Sequence, residues 1–227
     1  MADYIEENFS KYSDSVSVQE STVDGQIYKN VIASFEIENK KRIIVGAHYD
    51  ACGNQDGALE PPPYFRTENM ESYIYSKHLK DNNVDVFGMV SVEMIGYFDD
   101  KANSQNYPID LFSWFYGDNC DFITVVKTFN AGKFANEFKK LYKKSGEINT
   151  QTFIAPKLLR GIDYLDHLNY WKFGYSALML TETSFFRNKN YHKITDTIES
   201  LDTPRMSKVI DGLFYTLINQ SQNFAKK

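Results

Sequence analysis

Residues 42–50 read Arg-Ile-Ile-Val-Gly-Ala-His-Tyr-Asp, an apolar run closed by a histidine and an aspartate. A short continuous apolar run marks a strand covered on both faces, as in the parallel sheets of α/β proteins. His48 and Asp50 then stand at that strand's carboxyl end, where such sheets bind their ligands. Two further runs repeat the pattern. Val84 to Ile95 (VDVFGMVSVEMI) holds Glu93 within an apolar stretch, and Tyr175 to Thr181 (YSALMLT) leads into Glu182.

Between and around these strands the period changes. Residues 67–80 and 131–144 carry apolar side chains at helical spacing, with Thr67 as the expected cap of the first. Thr203-Pro204 opens a last helix with a stripe through Met206, Val209, Ile210 and Leu213. Asp24-Gly25-Gln26 is a turn between two extended runs, the second reaching from Tyr28 to Glu38, and Phe122 to Thr128 reads as another strand. Residues 1–20 are polar and form a short helix and an approach to the domain. Strands alternating with helices predict an α/β fold around a mixed, mostly parallel sheet. No linker or repeat divides the chain, so a single domain over 1–227 is expected.

Composition excludes several classes. Apolar residues make up 42% and charged residues 24%, near globular averages. The net charge of −5 offers nothing to nucleic acid. Mean hydropathy is −0.46, and no run reaches the ~18 apolar residues of a membrane span. The acidic N-terminus lacks an apolar signal region, so the cytoplasm is the default expectation, with a secreted or periplasmic location the alternative if a leader was removed. Cys52 and Cys120 stand far apart and form no CxxC pair. Aromatic residues reach 15%; Trp114 and Trp171 read mostly as core, though Trp171 and Phe185 could also line a pocket.

The chemistry-bearing residues gather at the strand ends. Of four histidines, three (His48, His167 and His192) follow buried strands or lie in the loops beyond them. A histidine beside a capping aspartate is the ordinary explanation of His48-Tyr49-Asp50 alone. Glu93 is harder to dismiss, because a carboxylate in an apolar strand is costly unless paired or metal-bound. Asp166-His167 and Tyr191-His192 with Asp196 repeat the theme, and zinc favours such mixtures of imidazole and carboxylate.

The segments IIVGAHYDACGNQ, EPPPYFRTENMESY, VSVEMIGYF with SQNYP, and DYLDHLNYWKFGYSALMLTETSFFRNKNYHKITDTIESLD resemble the zinc-dependent aminopeptidase family. That family includes bacterial leucyl aminopeptidases and is related to glutaminyl cyclases and glutamate carboxypeptidase. The likeness runs in order from about Asn30 to the last helix. It implies an α/β/α sandwich and removal of N-terminal residues from peptides by metal-activated water. By position, His48 and Glu93 would bind one metal, Asp50 would orient His48, and His192 would bind a second metal with Asp196 beside it. Asp166, His167 and Trp171 would shape the substrate pocket.

One segment departs from that pattern. The family carries a bridging aspartate in a Gly-Ala-Asp-Asp-Asn-type stretch, then a helix and a strand ending in a Glu-Glu pair. Here Gly53-Asn-Gln-Asp-Gly-Ala-Leu59 leads straight to Glu60-Pro61-Pro62-Pro63. Glu60 falls on the general base and Pro61 on a metal ligand. The expected fold is therefore one strand and one helix short, with Asp56 the remaining carboxylate for the bridge. One zinc ion rather than two is implied, and a homo-oligomer could cover the missing strand. Two readings stay open: a zinc aminopeptidase acting on peptides, or an impaired relative that keeps the fold. Glutaminyl cyclase chemistry ranks below both.

Overall fold

The computed structural model describes residues 1–49, 67–107, 109–154 and 166–225. Asp50, Cys52, Asp56 and Glu60 lie outside the described residues. The chain begins with helix α1 (Ala2–Ser10) and strands β1 (Ser15–Val23) and β2 (Gln26–Ser34). Asp24 and Gly25 both take positive φ between these two strands, so the expected turn forms there and folds them into an antiparallel hairpin.

A second, five-stranded sheet forms the centre. Strand β3 (Lys41–Gly46) precedes helix α2 (Glu71–Asp81) and strand β4 (Asp85–Glu93). After the short helix α3 (Ser113–Tyr116) come strand β5 (Phe122–Lys127), helix α4 (Gly132–Ser145) and strand β6 (Asn149–Ile154). Helix α5 (His167–Lys172), strand β7 (Ala177–Thr181) and helix α6 (Thr203–Ala225) complete the fold. The order is β3-β4-β7-β5-β6. β3, β4 and β7 run parallel, β5 opposes β7, and β6 runs parallel to β5, which makes the sheet mixed and mostly parallel.

Alternation along the strands divides the core. Val90, Ile123, Val125, Leu178 and Leu180 face α4 and α6, against Phe134, Phe138, Tyr142, Val209 and Leu213. Met89 and Ala177 face the other way, against Leu79 of α2 and Tyr170 of α5. Helices thus cover both faces, the expected three-layer sandwich. α4 and α6 are joined beneath the sheet by Tyr142 Oη donating to the Val209 carbonyl at 3.0 Å. Gly88 lets α4 come close: a Cβ there would stand 2.0 Å from the Phe134 ring.

Three details differ from the sequence reading. α2 starts at Glu71 with Met70 as its N-cap, while Thr67 Oγ1 accepts from the Asn69 amide in the turn before it. β6 was not expected, because NTQTFI is polar and sits at the sheet's edge. Trp114 is 87% exposed and Phe115 73% exposed, so this part of the aromatic content is surface and not core.

Candidate active site

Parallel pairing brings His48 and Glu93 together. Gly46 of β3 pairs with Ser91 of β4, so His48 and Glu93, each two residues further on, meet on the same face. Nε2 of His48 lies 3.2 Å from Oε2 of Glu93. Glu93 is buried at 2% exposure, and its Oε1 accepts from Ser91 Oγ at 2.9 Å. Among the described residues Oε2 has no hydrogen-bond partner, and the imidazole is its close polar neighbour. A buried carboxylate oxygen held this way is costly in the absence of a cation or proton.

α5 places Asp166 on the same face. Its side chain does not cap the helix; it accepts a hydrogen bond from Ser72 of α2, which itself receives Asn169 Nδ2 at 2.8 Å. Burial, then the Glu93 carboxylate, push the Asp166 pKa up to about 6, while the Ser72 bond and His48 oppose the rise. No sequence pattern points to Ser72, an ordinary helix residue. His167, next in the chain, is fully buried and meets the Trp171 ring edge-on at 4.5 Å. Trp171 donates Nε1–H to the Ala177 carbonyl at 2.9 Å.

His192 comes from the segment after β7. Arg187 anchors that segment from inside at 2% exposure, donating Nε–H to Gln105 Oε1 at 2.9 Å and Nη1–H to the Phe122 carbonyl at 3.0 Å. The His192 ring stacks on Tyr191 at 3.9 Å, and its backbone takes φ of 61°. Asp196 accepts from Asn188 Nδ2 at 3.0 Å. His192 lines the same large cleft as His48, Glu93 and Asp166. Met94, Thr183 and Ser184 also take positive φ at this sheet edge, and such strain in non-glycine residues is typical of functional sites. Glu182 turns away from the His48–Glu93 pair and accepts the Tyr97 amide at 2.9 Å; burial pushes its pKa up to about 7.

His48 and Glu93 together suit a metal ion, since a cation would satisfy the buried Oε2. Among the described residues, however, no group of three or more His, Cys, Asp or Glu side chains is placed to hold one.

The fold defined by these elements is that of known peptidases and a cyclase. The LapA aminopeptidase of Legionella pneumophila matches with a TM-score of 0.64 at 15% identity, over 95% of this chain and 62% of its own. A Porphyromonas gingivalis glutaminyl cyclase matches with a TM-score of 0.59 at 12% identity, over 96% and 88%. An aminopeptidase from Aneurinibacillus sp. strain AM-1 gives 0.53 at 14%, over 86% and 48%. This chain therefore spans less than two thirds of the two aminopeptidases. No family model matches it. The chain belongs to the same family as the uncharacterized protein YfbL of Escherichia coli (strain K12), with 31% identity over 258 residues, 96% of this chain and 79% of that protein. The matched length exceeds this chain's 227 residues by 31, so at least that many residues of the relative face none here.

Proposed function

We propose that the protein is a zinc-dependent hydrolase of the aminopeptidase type that removes N-terminal residues from peptides. The observation that carries this reading is the buried Glu93 Oε2 facing His48 Nε2 at 3.2 Å, at the carboxyl ends of adjacent parallel strands. His48 and Glu93 would hold one zinc ion, joined by His192 and Asp56. A bound zinc ion supplies Lewis acidity and an activated water nucleophile. Asp50 would keep the His48 imidazole in its ligating tautomer. Asp166, held by Ser72, can carry a proton near pH 6 and present it beside the site. Glu60 would act as general base, and Asp166, which lines the cleft, would bound the substrate pocket; His167, fully buried, and Trp171 are not among the cleft's lining residues.

Elemental analysis of protein purified without chelator tests the reading, together with hydrolysis of aminoacyl p-nitroanilides. About one zinc per chain and release of p-nitroaniline are expected. His48→Ala and Glu93→Ala should each abolish tight zinc retention with the circular dichroism spectrum preserved. Unchanged zinc in both variants overturns the ligand assignment.

A second reading is favoured by the surplus of at least 31 residues in the relative. If they fall between Gly53 and Glu60, the bridging aspartate and one Glu ligand went with them. The chain would then keep the fold without the chemistry. No bound zinc and no binding of added zinc would establish this reading over the first.

A further inference from the structure

Lys127 closes β5 and is buried at 4% exposure, a rare place for a lysine that is not paired. Among the described residues its amine has no hydrogen bond or ion pair. Alternation puts it on the face of Ile123 and Val125, which pack against α4. The strands on either side bring no charge: β6 reads NTQTFI and β7 ALMLT. Glu137, the one acid in α4, is paired with Lys133 at 3.5 Å. What acts on Lys127 is a second cation, Lys139 of α4. Burial first, and then Lys139, hold the Lys127 pKa below the usual lysine value. The stem is enclosed, yet Nζ is not sealed off, and Phe129 two residues further on is 70% exposed. Because β5 opposes β7, Lys127 lies at the sheet edge away from Glu93, outside the site described above.

We propose that Lys127 is a nucleophilic amine that captures small aldehydes or ketones bearing a phosphate or carboxylate group, with Lys139 attracting the anion. A lysine enclosed by apolar neighbours and set beside another cation keeps its lone pair free for attack. No carboxylate is at hand to hold either the amine or an incoming anion away. In the step itself the Lys127 nitrogen attacks the carbonyl carbon, and the C=O electron pair moves to oxygen. That oxygen then departs as water with the two amine protons, leaving a C=N bond to Lys127. The exchange needs no oxidant, reductant or metal.

The probe is pyridoxal 5′-phosphate, an aldehyde that carries a phosphate, added in limiting amount to the full chain at neutral pH. Borohydride then fixes any imine as a secondary amine, and peptide mass mapping locates it. Most of the label is expected on Lys127, ahead of the exposed Lys77 and Lys101. Lys139→Gln should slow labelling of Lys127 by about fivefold, the worth of one charge pair near a protein surface. Pyridoxal, which lacks the phosphate, should label the unaltered protein at that slower rate. Lys127→Met should lose the label while the melting temperature holds or rises, since an unpaired buried amine gives way to an apolar chain. Label spread evenly over the surface lysines overturns the proposal, as does label that reaches Lys127 only in denaturant. Equal rates for both probes, unchanged by Lys139→Gln, overturn it as well. Lys139→Gln and the peptide map decide the matter even where Lys127→Met does not fold. Zinc and peptide hydrolysis enter none of these readings, so the result separates from the test of hydrolase activity.

Discussion

Glu182 shows how one buried carboxyl ties stability to pH. Its pKa in the folded chain is pushed up to about 7 from 4.5, chiefly by burial. Folding therefore favours its protonated form. The associated stability is fully present below about pH 4.5 and is lost as pH rises through 7, a change of about 3 kcal/mol. Glu182→Gln should remove that slope. In urea titrations the variant's stability relative to wild type should climb between pH 5 and 8; a constant difference would refute the argument. Arg187 makes a complementary case. Its guanidinium is buried among the Gln105 side chain and the carbonyls of Phe122, Tyr97 and Cys120, above the Phe122 ring. Arg187→Lys keeps the charge but cannot reproduce that fork, and should cost about 2 kcal/mol or more in chemical denaturation.

At the scale of elements, close approach of α4 to the sheet depends on Gly88. Phe134 is 1% exposed, so its ring has little room to retreat from an added methyl. Gly88→Ala should therefore destabilise by about 1–3 kcal/mol, read as a lower urea midpoint with an unchanged slope. The most legible elements were the apolar runs. β4 and β7 are buried as such runs predict, β7 at all five positions; β3 forms where expected but is not covered on both faces, since none of its six residues is buried and Val45 is 44% exposed. β6 could not be read this way, since an edge strand has no need of apolar residues on both faces. Trp114 misled for the converse reason: hydrophobic character does not force burial when a residue sits on a short surface helix. The His48–Glu93 pair was legible because parallel register converts equal distance past two strands into contact. Ser72 was not, because its role depends on how α2 lies against α5, which no local pattern encodes.

Across the whole molecule, packing is uneven. α1 and β2 contain no buried residue, and β1 contributes only Val23. The central sheet holds the three apolar clusters. Segments with few buried contacts open at lower free energy than the core. Native-state hydrogen exchange should therefore show β1–β2 exchanging by a smaller opening than β5 and β7. Equal opening free energies in both would mean that the hairpin and the central sheet unfold as one unit.

The strand order has a consequence for the growing chain. β7 lies between β4 and β5 and is paired to both, yet among the described residues it is the last strand in sequence. Until residues 177–181 have been synthesised, β3–β4 and β5–β6 are two separate ribbons with the central place between them empty. Chain emerging from a ribosome thus carries the apolar edge of β4 from Glu93 onward, and both ribbon edges from Ile154 until Thr181, which is when such edges are most prone to pair wrongly. Completion of one late, five-residue strand turns them into a single sheet.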